Sequence, residues 1–374
     1  MSSQNSFSRR ALLQSAVLGA AGVASVGLPI RGAVAAGSFT VGFIYVGPRV
    51  DYGYNQAHAA GAAVVKKMPG VKVVEEERVP ETVAVENTME SMIVQDGATL
   101  LFPTSYGYFD PYILKLAKKY PKVTFMHAGG LWQAGMPLNV HSYFGYIDEP
   151  EYLAGIVAAF VTKTKKFGFV AAKPIPQVLR NINAFTLGAR SVDPSITTQV
   201  IFTGEWSMPV KEAEATNALA DQGVDVITCH VDSPKVVIET AEKRGLFTTG
   251  YHASQAALAP KGYLTGAEWN WEGLYPKLVT SVMKGETLPS IIRGGLKDGI
   301  VKTSPYSAIV PAAAKAAADK VKAGFMDGSF SIFKGPIKDN KGNVVIPAGT
   351  TVLGTDISLE SMNYLVEGVL GSTS

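Results

Sequence analysis

The segment FTVGFIYVGPRVDYGYNQAHAAGAAVVKK, residues 39–67, decides the fold. It opens on a continuous run of β-branched, aromatic and small apolar residues, the composition of a strand buried on both faces. From Asn55 it becomes an Ala-rich helical pattern. Two tyrosines, an asparagine and a histidine crowd the handover between them, at Tyr52, Tyr54, Asn55 and His58. A buried strand that hands over directly to a helix is the first half of a βαβ unit. Loops at the carboxyl ends of such strands are where ligands bind in open α/β sheets.

The same alternation continues outward. VKVVEEERV (71–79), TLLFPTS (99–105), VTFMHAGG (123–130) and NVHSYFGY (139–146) read as strands. NQAHAAGAAVVKKM (55–68), ETVAVENTMESMIVQ (81–95) and PYILKLAKKY (111–120) read as the helices between them. A second series has strands KFGFVAA (166–172), TTQVIFTGEW (197–206), DVITCHVD (225–232), LFTTGYHA (246–253) and YLTGAEW (263–269). Its helices begin at Pro150, Val178, Val210 and Pro234. Strict alternation predicts α/β architecture, and two series predict two doubly wound parallel-sheet lobes. The break falls in GYIDEPEYLAG (145–155), where Asp148, Glu149 and Pro150 end a strand and start a helix. Beyond residue 286 the pattern loosens into an Ala/Lys helix from Pro311 and a hairpin-like FKGPIKDNKGNVVIPAGTTV (333–352), in which DNKGN is turn chemistry.

The amino-terminal stretch reads as targeting, not fold. Arg9 and Arg10 precede a mild Ala/Gly-rich apolar run that ends in Ala33-Val34-Ala35. Paired arginines before such a run are the pattern of a twin-arginine export signal over residues 1–36, with cleavage near Ala35/Ala36 and delivery to the periplasm. An ordinary secretory signal carrying two arginines is the alternative. That segment holds Arg9, Arg10 and Arg31 and no acid, so 31 of the 34 basic residues remain to face 31 acids. A neutral remainder gives no basic face for nucleic acid or an anionic membrane. Cys229 is the sole cysteine, in an apolar run and far from the cleavage region. Neither an intrachain disulfide nor a lipoprotein anchor follows, and a soluble monomer is expected. The roughly 340 residues left exceed what one hydrophobic core usually holds, which again favours two lobes.

Strand ends supply the candidate site. The first gives Tyr52, Tyr54 and Asn55, the third Tyr106 and Tyr108, the fourth Trp132. The second series adds Trp206, Asp232, His252 and Ser254, then Trp269, Asn270 and Trp271. Aromatic faces beside amides and a carboxylate suit a planar ring read along its edge. Each residue has a plainer role open to it. Asn55 and Asp232 are also good helix caps, and His252 suits a satisfied turn. Trp271 suits helix packing, while Arg180 and Asn183 face either the cleft or solvent. The chain lacks a nucleophile elbow, a phosphate loop and any His pair with metal-ligand spacing. A non-enzymatic binding protein with no metal or cofactor is therefore expected.

GYNQAHAAGA (53–62), EPEYLAGIVAA (149–159), FTLGARSVDPS (185–195), ALADQGVDVI (218–227) and KLVTSVMKG (277–285) together resemble the basic membrane protein family of substrate-binding proteins. Its best-understood members bind purine nucleosides for ABC importers. The resemblance implies a type I periplasmic-binding fold, with lobe 1 from 38–145 plus 265–295 and lobe 2 from 146–264 plus 296–374. It also implies an ABC permease in the inner membrane as partner; a ligand-sensing periplasmic module on the same fold and a purine-processing hydrolase are the alternatives. By the same likeness Tyr54 and Asn55 contact the purine from one lobe and Trp206 from the other. One segment departs: nucleoside-binding relatives carry an Asp-rich run like Gly-Val-Asp-Ser-Asp where this chain has GYHASQ (250–255). The ribose-holding carboxylate is then replaced by His252 and Ser254, which favours a free base such as adenine over a nucleoside.

Overall fold

The computed structural model describes residues 38–373, and the export segment expected at 1–36 lies outside them. Two sheets are built from a two-residue C-terminal strand and twelve numbered ones. They are β1 (Phe39–Ile44), β2 (Val71–Glu76), β3 (Ala98–Pro103), β4 (Thr124–Ala128), β5 (Val140–Gly145) and β6 (Lys166–Ala171). Then come β7 (Thr197–Phe202), β8 (Val226–His230), β9 (Phe247–His252), β10 (Tyr263–Trp269), β11 (Ile291–Gly294) and β12 (Val301–Thr303). The helices are α1 (Tyr54–Val65), α2 (Val83–Val94), α3 (Leu114–Lys119), α4 (Asp148–Ala159), α5 (Pro176–Val192), α6 (Pro209–Asp221), α7 (Lys235–Lys243), α8 (Trp271–Met283) and α9 (Ala312–Asp327).

The first sheet runs β11-β5-β4-β3-β1-β2 with every pair parallel. The second runs β12-β10-β9-β8-β6-β7 and ends on the two-residue strand Val369–Leu370. Only β12 is antiparallel there, pairing Ala267 with Thr303. Each sheet therefore reverses its winding once, between β1 and β3 and between β6 and β8. Those reversals are where helices diverge to opposite faces and leave a crevice at the strand ends.

The chain passes between the sheets at three places: after Gly145, after Trp269 and after Gly294. The passage expected at 265 is displaced, because β10 stays in the second sheet, registered with β9 from Tyr263↔Thr248 to Glu268↔His252. Its apolar side chains are fully buried there. Only from Trp271 does the chain join the first lobe, where α8 stacks Trp271 on His58 of α1 at 5.3 Å. The C-terminal hairpin expectation resolves into two short ladders, Phe333–Lys334 with Thr351–Val352 and Ile337–Lys338 with Val344–Ile346. Asp339 closes the turn of the second by accepting the Asn343 backbone N–H at 2.8 Å.

One buried cluster runs through both lobes, from Val41, Phe43 and Tyr143 by way of Trp269 and Tyr275 to Phe167 and Phe185. Another covers the opposite face of the first sheet with Met89, Met92, Leu116 and Phe125. Cys229 lies fully buried in β8, a small apolar filler. Among the described residues no helix is long and apolar enough to cross a membrane.

Candidate functional site

The β1–α1 turn is built by Asp51. Its carboxylate accepts the backbone N–H groups of Gly53 and Gln56 on one oxygen, at 2.8 and 2.9 Å. The other oxygen takes the Asn55 backbone N–H and side-chain amide at 3.0 and 2.8 Å. An acid at a helix start satisfies donors that have no partner within the helix and faces the positive end of its dipole. The turn thus fixed delivers Tyr54, whose hydroxyl donates to the Thr104 carbonyl at 2.5 Å after β3.

The corresponding loops of the second lobe approach from across the crevice. The Tyr54 N–H donates to the Asp232 carbonyl at 2.9 Å. Ser233 Oγ donates to the Asp51 carbonyl at 2.9 Å, and Gln255 Nε2 to the Tyr52 carbonyl at 2.6 Å. Gly53 lies so close that a Cβ there would sit 2.1 Å from the Asp232 carbonyl oxygen. Three hydrogen bonds and one steric contact hold these loops together.

Beneath them is a cavity of about 530 Å³, part of it open to solvent, within the range of small-ligand sites. Tyr54, Tyr106, Trp206, Asp232 and His252 all line it. Both winding reversals contribute: Tyr54 and Tyr106 follow β1 and β3, and Asp232 follows β8. Trp206 is half-buried, its ring 6.2 Å from that of His230 and under the Lys173 ammonium at 5.9 Å.

Four of the predicted site residues lie elsewhere, each because its polar group or its face is already taken. Asn55 is buried, with its amide oxygen accepting the Gly47 N–H at 3.1 Å and its NH₂ bonded to Asp51. It neither caps α1 nor reaches the cavity. Asn270 spends its NH₂ on the Gly299 carbonyl at 2.7 Å, pinning the segment ahead of β12. Trp269 is buried behind His252, stacked on Trp271 at 4.9 Å. Trp132 packs on the outer cluster of the first lobe.

Of the undecided residues, Asn183 is buried and ties down the tail, bonding the Tyr364 carbonyl and the Val366 N–H at 2.9 Å each. Arg180 pairs with Asp148 at 2.8 Å and donates to the Gly354 carbonyl. Tyr108 is buried with its hydroxyl on the Val79 carbonyl, and Ser254 is exposed.

Sequence reasoning missed Glu81, Ser105, Phe144, Gln177 and His230, which also line the cavity. Glu81 accepts from Ser105 Oγ at 2.5 Å and from the Gly107 N–H at 2.7 Å. The strand-end rule contained this signal: Glu81 follows β2, Phe144 is in β5 and Gln177 follows β6. No lysine or arginine is among the described residues that line this cavity.

Burial dominates the electrostatics. It lowers His230 to about 3 and holds His252 well below the usual imidazole value, so both rings are neutral at physiological pH. It raises the Asp232 carboxyl to about 8, with the charges of Asp51, Glu81 and Glu212 adding to the rise and Lys173 opposing it. A carboxyl whose folded value exceeds its unfolded 3.8 contributes stability that is complete below 3.8 and lost as pH climbs through 8. Asp232→Asn removes that loss. Relative to wild type the variant is expected to gain thermal stability as pH rises from about 4 to about 8, read from melting curves; a constant difference across that range would contradict the assignment.

Residues 39–326 match the family described as ABC transporter substrate-binding protein, PnrA-like. A purine-binding protein of Brucella abortus is 36% identical over 337 residues, covering 88% of this chain and 92% of its own. A protein of Haloferax volcanii named as an ABC transporter glucose-binding protein is 35% identical over 69% of this chain and 64% of its own. Among solved structures, an ABC transporter solute-binding protein from Aeropyrum pernix superposes with TM-score 0.66 at 20% identity, over 80% of this chain and 93% of its own. The chain belongs to the PnrA-like family of ABC transporter substrate-binding proteins.

Proposed function

We propose that the protein captures a purine, the free base adenine in preference to its nucleoside, and presents it as a monomer to an inner-membrane ABC permease after twin-arginine export to the periplasm. The observation that carries this reading is that Tyr54 from one lobe and Trp206 from the other line a single cavity with Asp232 and His252. Aromatic faces bind a flat base through its apolar surface, and the polar groups read its edge. The name of the Brucella abortus relative supports the same ligand class.

The preference for base over nucleoside rests on His252. A neutral imidazole offers a diol one hydrogen bond, where a carboxylate would take both hydroxyls in charge-assisted bonds worth roughly 1.5–3 kcal/mol. Nucleotides are disfavoured further, because Glu81 lines the cavity and no lysine or arginine does. Binding works by closure about the three crossing segments. The open form exposes both aromatic faces, and the base docks and draws the Asp51–Tyr54 loop onto Asp232 and Ser233. The permease then meets a shape whose population the ligand has raised.

Titration calorimetry of unfolded, ligand-stripped and refolded protein with adenine, adenosine and glucose in parallel tests the reading. Adenine is expected to bind most tightly. Adenosine binding far more tightly than adenine would refute the base preference. Glucose binding without either purine would refute the ligand class and favour the activity named for the Haloferax volcanii relative.

A further inference from the structure

His252 ends β9 in the left-handed backbone region, at φ +70°. A β-strand residue with a side chain seldom holds that conformation, and surroundings must enforce it. Here Gln255 does so: its amide oxygen accepts the Tyr251 N–H at 3.0 Å while its NH₂ donates to the Tyr251 carbonyl at 2.8 Å. The imidazole is thereby turned from the sheet toward the cavity that it lines.

The second observation concerns its two nitrogens. Nδ1 lies 2.8 Å from the Trp269 indole Nε1. An indole N–H can only donate, so Nδ1 must be the bare, accepting nitrogen. The neutral ring then carries its proton on Nε2. That nitrogen is buried and has no hydrogen-bond partner in the protein, although His252 is only 3% exposed. The Val231 backbone pulls the ring's pKa upward against burial, but its contact falls short of hydrogen-bond geometry at Nε2. His230, the other cavity histidine, differs: its nitrogens meet Asn181 at 3.0 Å and Tyr251 at 3.1 Å. His252 alone of the two offers an unspent donor.

We propose that Trp269 is a positioning residue that locks His252 as an Nε2–H donor into the cavity. The site then selects a heterocycle that presents an unprotonated ring nitrogen or a carbonyl oxygen at that point. The ligand half of this inference rests on the purine reading above; the tautomer half does not. A ligand with C–H or N–H at that position leaves a buried donor unmet, a loss expected to reach roughly 10- to 100-fold in affinity. The indole that reads as a ligand contact in the sequence thus acts one residue removed from the ligand.

Two measurements test this. The first is nitrogen NMR of histidine-labelled protein at neutral pH. His252 should show a protonated Nε2 and a bare Nδ1, and Trp269→Phe, which keeps an aromatic ring but loses the donor, should shift both signals toward the averaged values of mixed tautomers. A purely structural role for Trp269 would not move them. The second is calorimetry with adenine and its 1-, 3- and 7-deaza analogues, each replacing one ring nitrogen by C–H. One analogue should bind wild type roughly 10- to 100-fold more weakly than adenine, and His252→Gly, which tolerates positive φ and carries no side-chain donor, should bind that analogue and adenine alike. Three outcomes overturn the proposal: an Nδ1–H tautomer in wild type, an Nε2–H signal unmoved by adenine because Val231 holds it, or equal binding of all analogues. If no purine binds at all, the proposed ligand class falls with the ligand half, while the NMR result still decides the part played by Trp269.

Discussion

Gly53→Ala is expected to weaken adenine binding by roughly 1–3 kcal/mol, the usual cost of forcing a methyl group into filled space, while ligand-free melting stays close to wild type. The reasoning is steric and local. The added Cβ would sit 2.1 Å from the Asp232 carbonyl oxygen and 2.5 Å from Pro234 Cδ. Neither the carbonyl nor the proline ring is a flexible side-chain end, so the two loops must part. Parting them lengthens the Tyr54–Asp232 backbone hydrogen bond, and the Ser233–Asp51 bond beside it goes too. Both bonds join different lobes, so the open form loses nothing. Binding loses its latch. Calorimetry and melting curves on the same variant separate these effects; unchanged affinity would show that closure does not bring Gly53 against Asp232.

Trp206→Ala should also cost roughly 1–3 kcal/mol of affinity, as truncation of a base-stacking aromatic does elsewhere. Trp206 is held from behind: its carbonyl accepts the Asp232 N–H at 2.8 Å, which ties the loop after β7 to the loop after β8. The backbone bond survives truncation, so the loss reports the ring itself. Trp206→Phe should keep most of the affinity, since a flat apolar face remains. A fluorescence check is available, because Trp269 and Trp271 are buried and Trp132 packs on the outer cluster. Adenine should change the emission of wild type and leave that of Trp206→Ala nearly unaltered. Undiminished affinity in the alanine variant would remove Trp206 from the site.

Much of this architecture was open to reading from periodicity alone. Buried parallel strands must be apolar throughout, and their crossovers must be helices, so the alternation from Phe39 to Trp269 carries two wound sheets in plain text. The crossing after Trp269 was less readable. YLTGAEW is equally apolar in either sheet, and only its pairing with β9 decides. The strand-end rule brought Tyr54, Tyr106, Trp206, Asp232 and His252 to one cavity because topology places those ends together whatever the side chains do. It failed for Asn55, Asn270 and Trp269 because their polar groups are consumed by Asp51, Gly299 and His252. Such partners are set by three-dimensional packing. Glu81 and Gln177 follow β2 and β6, whose ends carry no aromatic residue to mark them.

The most direct test is a crystal structure of the protein grown with adenine. The base should lie in the cavity against the Trp206 indole and the Tyr54 ring, with Asp232 and His252 Nε2 along its edge and the Gly53–Asp232 contact closed. Adenine bound outside that cavity, or inside it with neither aromatic face engaged, would contradict the account.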